Sequence, residues 1–185
     1  GAGYAIEFAG SAVESLSVEA RLTLCNMTTE LSAFTGLIAP DQKVLEYCMG
    51  RRYAPQDAVW EHASGYWQSL RSDEGANFDC EQLMDIDSLK PQLSWGTSPQ
   101  HCIDWNGTIP QPADASDEDQ ATAWSRAQRY MEVRGGSRLA DYPIDAAFIG
   151  SCTNSRLSDL RDAAAYLQRT GSRVAKGVKA LCVPG

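Results

Sequence analysis

A cysteine and a carboxylate are the residues of this chain whose types and spacing could do chemistry. Cys152 stands in G-S-C-T-N-S-R, Gly150 to Arg156. The apolar run Ala146 to Ile149 reads as a buried strand, and Gly150 breaks it. From Arg156 the pattern is helical, with Leu157, Leu160, Ala163, Ala164 and Leu167 recurring at spacings of three and four on one face. Asn154 or Ser155 is the expected N-cap and Gly171 the expected stop. Val178 to Val183 reads as a second strand. Strand, tight turn, helix and strand make a βαβ unit whose crossover is expected to be right-handed.

Such a turn puts Cys152 at the carboxyl end of a strand, where open α/β sheets bind ligands, and at a helix N-terminus, whose partial positive charge and unpaired N–H groups favour a thiolate. The sulfur is then a nucleophile or a metal ligand; a small buried hydrophobe that merely fits the turn is the plainer alternative. The second constellation is C-N-M-T-T-E, Cys25 to Glu30. Glu30 is followed by Leu31, Ala33 and Phe34, an apolar neighbourhood in which an unpaired carboxylate would be costly and its pKa raised. A carboxyl of that kind serves as a general acid, while a solvated helix-surface Glu is the alternative.

The two motifs together resemble those of the aconitase superfamily. G-L-I-A-P-D at Gly36 to Asp41, W-G-T-S-P at Trp95 to Pro99 and G-V-K-A-L-C-V-P-G at Gly177 to Gly185 are similar to the isopropylmalate dehydratase large-subunit branch of that family, and the matches run nearly end to end in family order. The resemblance implies an aconitase-like α/β/α fold with a mixed sheet and a C-terminal βαβ unit. It implies a hydro-lyase that isomerises an isopropylmalate-type hydroxy-diacid through an alkene at a [4Fe–4S] cluster, in leucine biosynthesis. By the same resemblance Cys152 is a cluster ligand with Asn154 beside it, Glu30 faces the substrate hydroxyl, and Asn26 supports the cluster environment. The family's other two ligands form a close-spaced Cys pair and its base is a serine on a separate small subunit; neither matches a position here. An intact cluster and turnover are therefore not expected of this chain alone. Aconitase or homoaconitase chemistry is the nearer alternative. A noncatalytic α/β ligand-binding module, with Cys152 inert, is the alternative of another class.

Composition narrows the classes. The chain has 185 residues, 43% hydrophobic and 22% charged, an ordinary globular mixture. A formal net charge of −8 argues against nucleic acid, including the RNA binding known in one aconitase-like branch, and against an anionic membrane surface. No apolar run approaches the ~18–20 residues of a transmembrane helix, and no signal peptide opens the chain. The six cysteines, at 25, 48, 80, 102, 152 and 182, show no C-x-x-C spacing, so neither zinc nor a disulfide framework is expected, and a reduced, cytoplasmic setting is. The chain stops directly after a strand and reads as a fragment of a longer protein.

The supporting elements follow from local signals. Gly1 to Gly10 reads as a glycine-edged strand, its G-x-G too short for a phosphate loop. A short helix follows, then a second capped by Ser17 and ended by Gly36 as C′ residue. Leu37 to Ala39 reads as a strand, Asp41 as the cap of a helix through Met49, and Asp57 as the cap of a helix with Trp60, Ala63, Trp67 and Leu70 inward. Arg51-Arg52 is a solvated helix end. Phe78 to Ile86 alternates and reads as a half-buried strand, Gln92 to Trp95 as another, and His101 and Cys102 as structural. Trp105 to Ala115, with Gly107, Pro110 and Pro112, is the linker candidate. Ser116 and Asp119 read as a capping box opening a helix to Val133. The expected division is an α/β domain over 1–106, a linker and helix over 107–138, and the start of a cluster-binding domain over 139–185.

Overall fold

The computed structural model describes residues 1–151 and 153–185, so Cys152 lies outside the described residues. The chain packs as two units, each discontinuous in sequence: Gly1–Leu83 with Ile149–Ser172 and Cys182–Gly185, and Met84–Phe148 with Arg173–Leu181. The grouping follows packing, whereas the expected division at 106 and 138 was sequential.

In the first unit β1 (Ala5–Glu7) pairs in parallel with β2 (Thr35–Leu37), in the register Ile6 to Gly36. The crossover contains α1 (Ser11–Ser15) and α2 (Val18–Met27), the latter capped by Ser17, whose hydroxyl accepts from the Ala20 N–H at 3.2 Å. A 3-10 turn, Thr28–Leu31, prolongs α2, and Ser32 closes it at φ 58°. Ser32 thus takes the left-handed position expected of Gly36. Gly36 is in the strand for another reason: a Cβ there would lie 2.7 Å from the Thr28 methyl and 2.9 Å from the Cys25 Cα. Only glycine lets the helix lie this close on the strand.

Asp41 caps α3 (Gln42–Cys48), as read, accepting from the Val44 N–H at 3.2 Å. The same carboxylate takes a 2.6 Å ion pair from the buried Arg21, which also donates to the Glu14 carbonyl at 2.9 Å. This pair ties α2 to the loop after β2. In α4 (Asp57–Gln68) Gln56 occupies the cap position and Asp57, at φ 50°, is the first helical residue. Trp60 and Trp67 meet edge to face at 5.7 Å. The expected strand over 78–86 is not formed: Phe78, Leu83, Met84 and Ile86 are exposed, and the segment makes only local bonds such as Leu89 N–H to the Ile86 carbonyl. Alternation alone does not make a strand without a neighbour for its ladder.

β5 (Ala146–Ile149), α6 (Leu157–Thr170) and β6 (Lys179–Cys182) follow in the expected order, but β5 is not the buried strand that was expected: Phe148 is 60% and Ile149 45% exposed. Asp145 accepts from Lys179 N–H and Ile149 from Val183 N–H, both at 2.9 Å, so the two strands advance in the same direction. Gly171 ends α6 at φ 64°.

In the second unit β3 (Gln92–Ser94) pairs antiparallel with β4 (Cys102–Asp104). Trp95, Ile109 and Ala127 form its core, with Trp124, Val133, Leu139 and Tyr142 packed on them. His101 is structural, as read: its ring stacks on Trp95 at 4.6 Å and its Nδ1 accepts from the Thr97 N–H at 3.1 Å. The helix α5 (Glu118–Met131) is capped one residue later than expected, by Asp117, which accepts from Gln120 N–H at 2.7 Å. The stretch read as a linker is anchored instead. Ile109, 1% exposed, bonds through both backbone groups, to Ser137 at 2.8 Å and from Gly136 at 2.7 Å. Gly and Pro marked irregular backbone correctly, but one fully buried isoleucine decided that it packs.

Ile109→Ala is expected to destabilise the second unit by about 2–5 kcal/mol, read by urea unfolding. Arg21 holds the Asp41 carboxyl below the usual carboxylate range, chiefly through the hydrogen bond. A carboxyl depressed in the folded state adds stability above its unfolded value and loses it as pH falls through its folded value. Asp41→Asn is therefore expected to lower the urea midpoint at neutral pH and to flatten its decline below about pH 4; an acid limb identical to wild type would contradict the pair's role.

Candidate functional site

The residues flanking position 152 form a turn whose backbone is tied to its own side chains. The Ser151 hydroxyl accepts from the N–H groups of Thr153 at 3.2 Å and Asn154 at 2.7 Å. Ser155 is 4% exposed and has φ 84°, a backbone region unfavourable for any residue with a Cβ. Three bonds hold it there: its hydroxyl donates to the Val183 carbonyl at 2.6 Å, its carbonyl accepts from Gly185 N–H, and its N–H donates to Asp159 at 2.9 Å. Asp159 accepts from Arg156 N–H as well, at 2.9 Å. The α6 cap is thus a carboxylate inside the first turn reaching back, with Arg156 at the N-cap position, where Asn154 or Ser155 was expected. Asn154 is diverted from capping because its carboxamide faces α2.

The exposed face of α2 meets this turn. Asn26 Nδ2 donates to the Thr153 hydroxyl at 2.8 Å. Thr23, one turn earlier on the same face, donates to Asn154 Oδ1 at 2.6 Å. Arg156 Nη1 donates to Thr23 Oγ1 at 2.8 Å and to Asn154 Oδ1 at 3.1 Å. A cavity of about 310 Å³ opens beside these residues, walled by Thr23, Asn154, Arg156, Ser158, Asp159 and Asp162 among others.

Of the residues singled out in the sequence, Asn26 and Asn154 are brought to one place. Glu30 is not in an apolar pocket: it is exposed on the 3-10 turn, with Leu31 53% and Phe34 86% exposed beside it. Leu31 and Phe34 point to solvent with it, while Ala33, beyond the turn, is buried. Burial pushes the pKa of Cys25 up, away from the thiolate a metal would need. Thr23, Ser151, Ser155, Arg156 and Asp159 were missed. The helical spacing of Thr23 to Asn26 was the available signal for one of them.

A metal centre needs converging ligands, and among the described residues no three His, Cys, Asp or Glu side chains stand close enough to hold an ion. The described part of this chain does not by itself fit a three-thiolate cluster.

The geometry defines an α/β protein whose site is built where a strand hands over to a helix, closed from outside by a second helix bearing an amide donor. The chain belongs to the aconitase family: the family model described as aconitate hydratase matches residues 1–185. It is 58% identical over 178 residues to a 3-isopropylmalate dehydratase large subunit of Cupriavidus necator, covering 96% of this chain and 66% of that protein. It is 50% identical over 185 residues to 3-isopropylmalate dehydratase large subunit 1 of Bradyrhizobium diazoefficiens, covering all of this chain and 38% of that protein. The chain therefore spans under two thirds of the length of both relatives. Among the described residues no helix is long and apolar enough to cross a membrane.

Ser155→Ala keeps the strained φ and loses the hydroxyl bond to Val183; Ser155→Gly loses the bond and relieves the strain. The first is expected to cost about 1–2 kcal/mol in urea unfolding and the second distinctly less; the reverse order would mean that backbone strain is not stored at this turn.

Proposed function

We propose that this chain is part of the large subunit of an iron–sulfur hydro-lyase that interconverts 2-isopropylmalate and 3-isopropylmalate through an alkene, in leucine biosynthesis. The observation that carries the reading is the hydrogen bond from Asn26 to Thr153, which joins the two family motifs in a chain similar end to end to proteins named for that activity. Loss of water across adjacent carbons and its return with the positions exchanged need an aid to hydroxide departure and a proton path. A [4Fe–4S] cluster held in part by this chain would supply the first as a Lewis acid.

What this chain contributes is narrower. Cys152, in the motif turn, is the proposed cluster ligand. Asn26 anchors the motif to α2 through Thr153. Asn154 is the proposed neighbour of the cluster. Glu30 is the proposed acid assisting the departing water; its exposure leaves it accessible to a substrate held against α2 and the turn. The remaining cluster ligands and the base come from polypeptide outside this chain, the base from a small subunit that the relatives' names imply. A reduced, cytoplasmic setting suits the thiols.

The dispersed cysteines lead to one measurement. After anaerobic reconstitution with iron and sulfide, this chain alone is expected to retain no stoichiometric cluster and to form no alkene from 3-isopropylmalate. Supplied with the missing ligands and a small subunit, it is expected to do both, and Glu30→Gln is expected to lower kcat by about 10²–10⁴ with the iron content unchanged. A completed assembly that binds no iron, or one that turns over citrate and not isopropylmalate, would overturn the reading.

A further inference from the structure

The structure points to Arg156 and Thr23 as positioning residues that lock the Asn154 side chain so that it serves as a hydrogen-bond donor at the site. Arg156 is the reason. A guanidinium has only donors, so the Asn154 atom lying 3.1 Å from Arg156 Nη1 must be the carboxamide oxygen. Thr23 agrees: its hydroxyl accepts from Arg156 at 2.8 Å, and of the two acceptors in reach of its single proton, the Glu19 carbonyl at 3.2 Å and this same oxygen at 2.6 Å, the oxygen is the nearer. Both lone pairs of Asn154 Oδ1 are thereby engaged. The oxygen is withdrawn from any ligand, and the Nδ2 group, which has no partner among the described residues, is turned the other way.

The closed triangle of Arg156, Thr23 and Asn154 does more than join two segments. A neutral amide can present either a donor or an acceptor to a ligand by flipping, at little cost in the absence of neighbours. Here the flip would set Nδ2 against a guanidinium and strand a charged donor, a penalty of the kind that makes such orientations persistent. Asn154 is therefore not an oxygen ligand to a metal; it offers N–H groups to an anionic acceptor. The use of that donor rests on the hydro-lyase reading, but the lock itself does not.

The test is made on this chain, by the side-chain amide correlation of Asn154 in ¹H–¹⁵N spectra of wild type, Thr23→Val, Arg156→Lys and Arg156→Ala, with urea midpoints measured in parallel. Arg156→Ala is expected to move the Asn154 signal to the averaged position of an unrestrained asparagine. Arg156→Lys, which keeps a donor but not the fork, is expected to restore it in part. Thr23→Val is expected to shift it in the same sense, and adding Arg156→Ala to it should give less than the sum of the two shifts, because one triangle is broken in both. An Asn154 signal unmoved in folded Arg156→Ala and Thr23→Val overturns the proposal, even where the midpoints fall. Failure of the hydro-lyase reading appears instead in the iron count and leaves these spectra as stated.

Discussion

The site depends on side-chain hydrogen bonds that connect α2 to the turn after β5, residues more than a hundred positions apart in the chain. The side chains that pair across it, Asn26 and Asn154, are exposed, although Ser155 in the turn and Arg21 on α2 are buried. What holds them is complementarity of donors and acceptors: an amide donor meets a hydroxyl, a hydroxyl meets an amide oxygen, and a guanidinium supplies the surplus donors. Bonds to a charged group are worth more than neutral ones, so Arg156 is the strongest member of the group. Its backbone N–H is in turn fixed by Asp159, and one short stretch of α6 thus secures both the helix start and the contact to α2.

Much of this architecture was legible in the sequence because it rests on local rules. The strand, turn, helix and strand of the C-terminal segment, the caps Ser17 and Asp41 and the stop at Gly171 are set by period, by short polar side chains and by a residue tolerant of positive φ. The errors fall where a decision is not local. Residues 78–86 have the alternation of a strand and no partner to pair with. Residues 105–115 have the composition of a linker and one isoleucine that the core of the second unit needs. Glu30 has two large apolar neighbours in sequence, Leu31 and Phe34, that turn outward with it.

The candidate site was half legible for the same reason. Position drew attention to Asn154 as a helix cap, and the family resemblance alone drew attention to Asn26. Arg156 read only as the start of an amphipathic helix, since nothing in a linear pattern reveals that its side chain folds back toward a threonine far up the chain. The strain at Ser155 was equally hidden: a serine before a helix looks like a cap, and only the φ angle and the three bonds that sustain it set it apart.

Gly36 has a consequence for the depth of the site. Its missing side chain sets the gap between β2 and the helix that carries Thr23 and Asn26. A single methyl inserted there would act as a shim, lifting that helix by some tenths of an ångström. Hydrogen bonds of 2.6–2.8 Å to the turn tolerate little lift before they open. The reach of two polar side chains is in this way gauged by an atom that is absent, one layer beneath them.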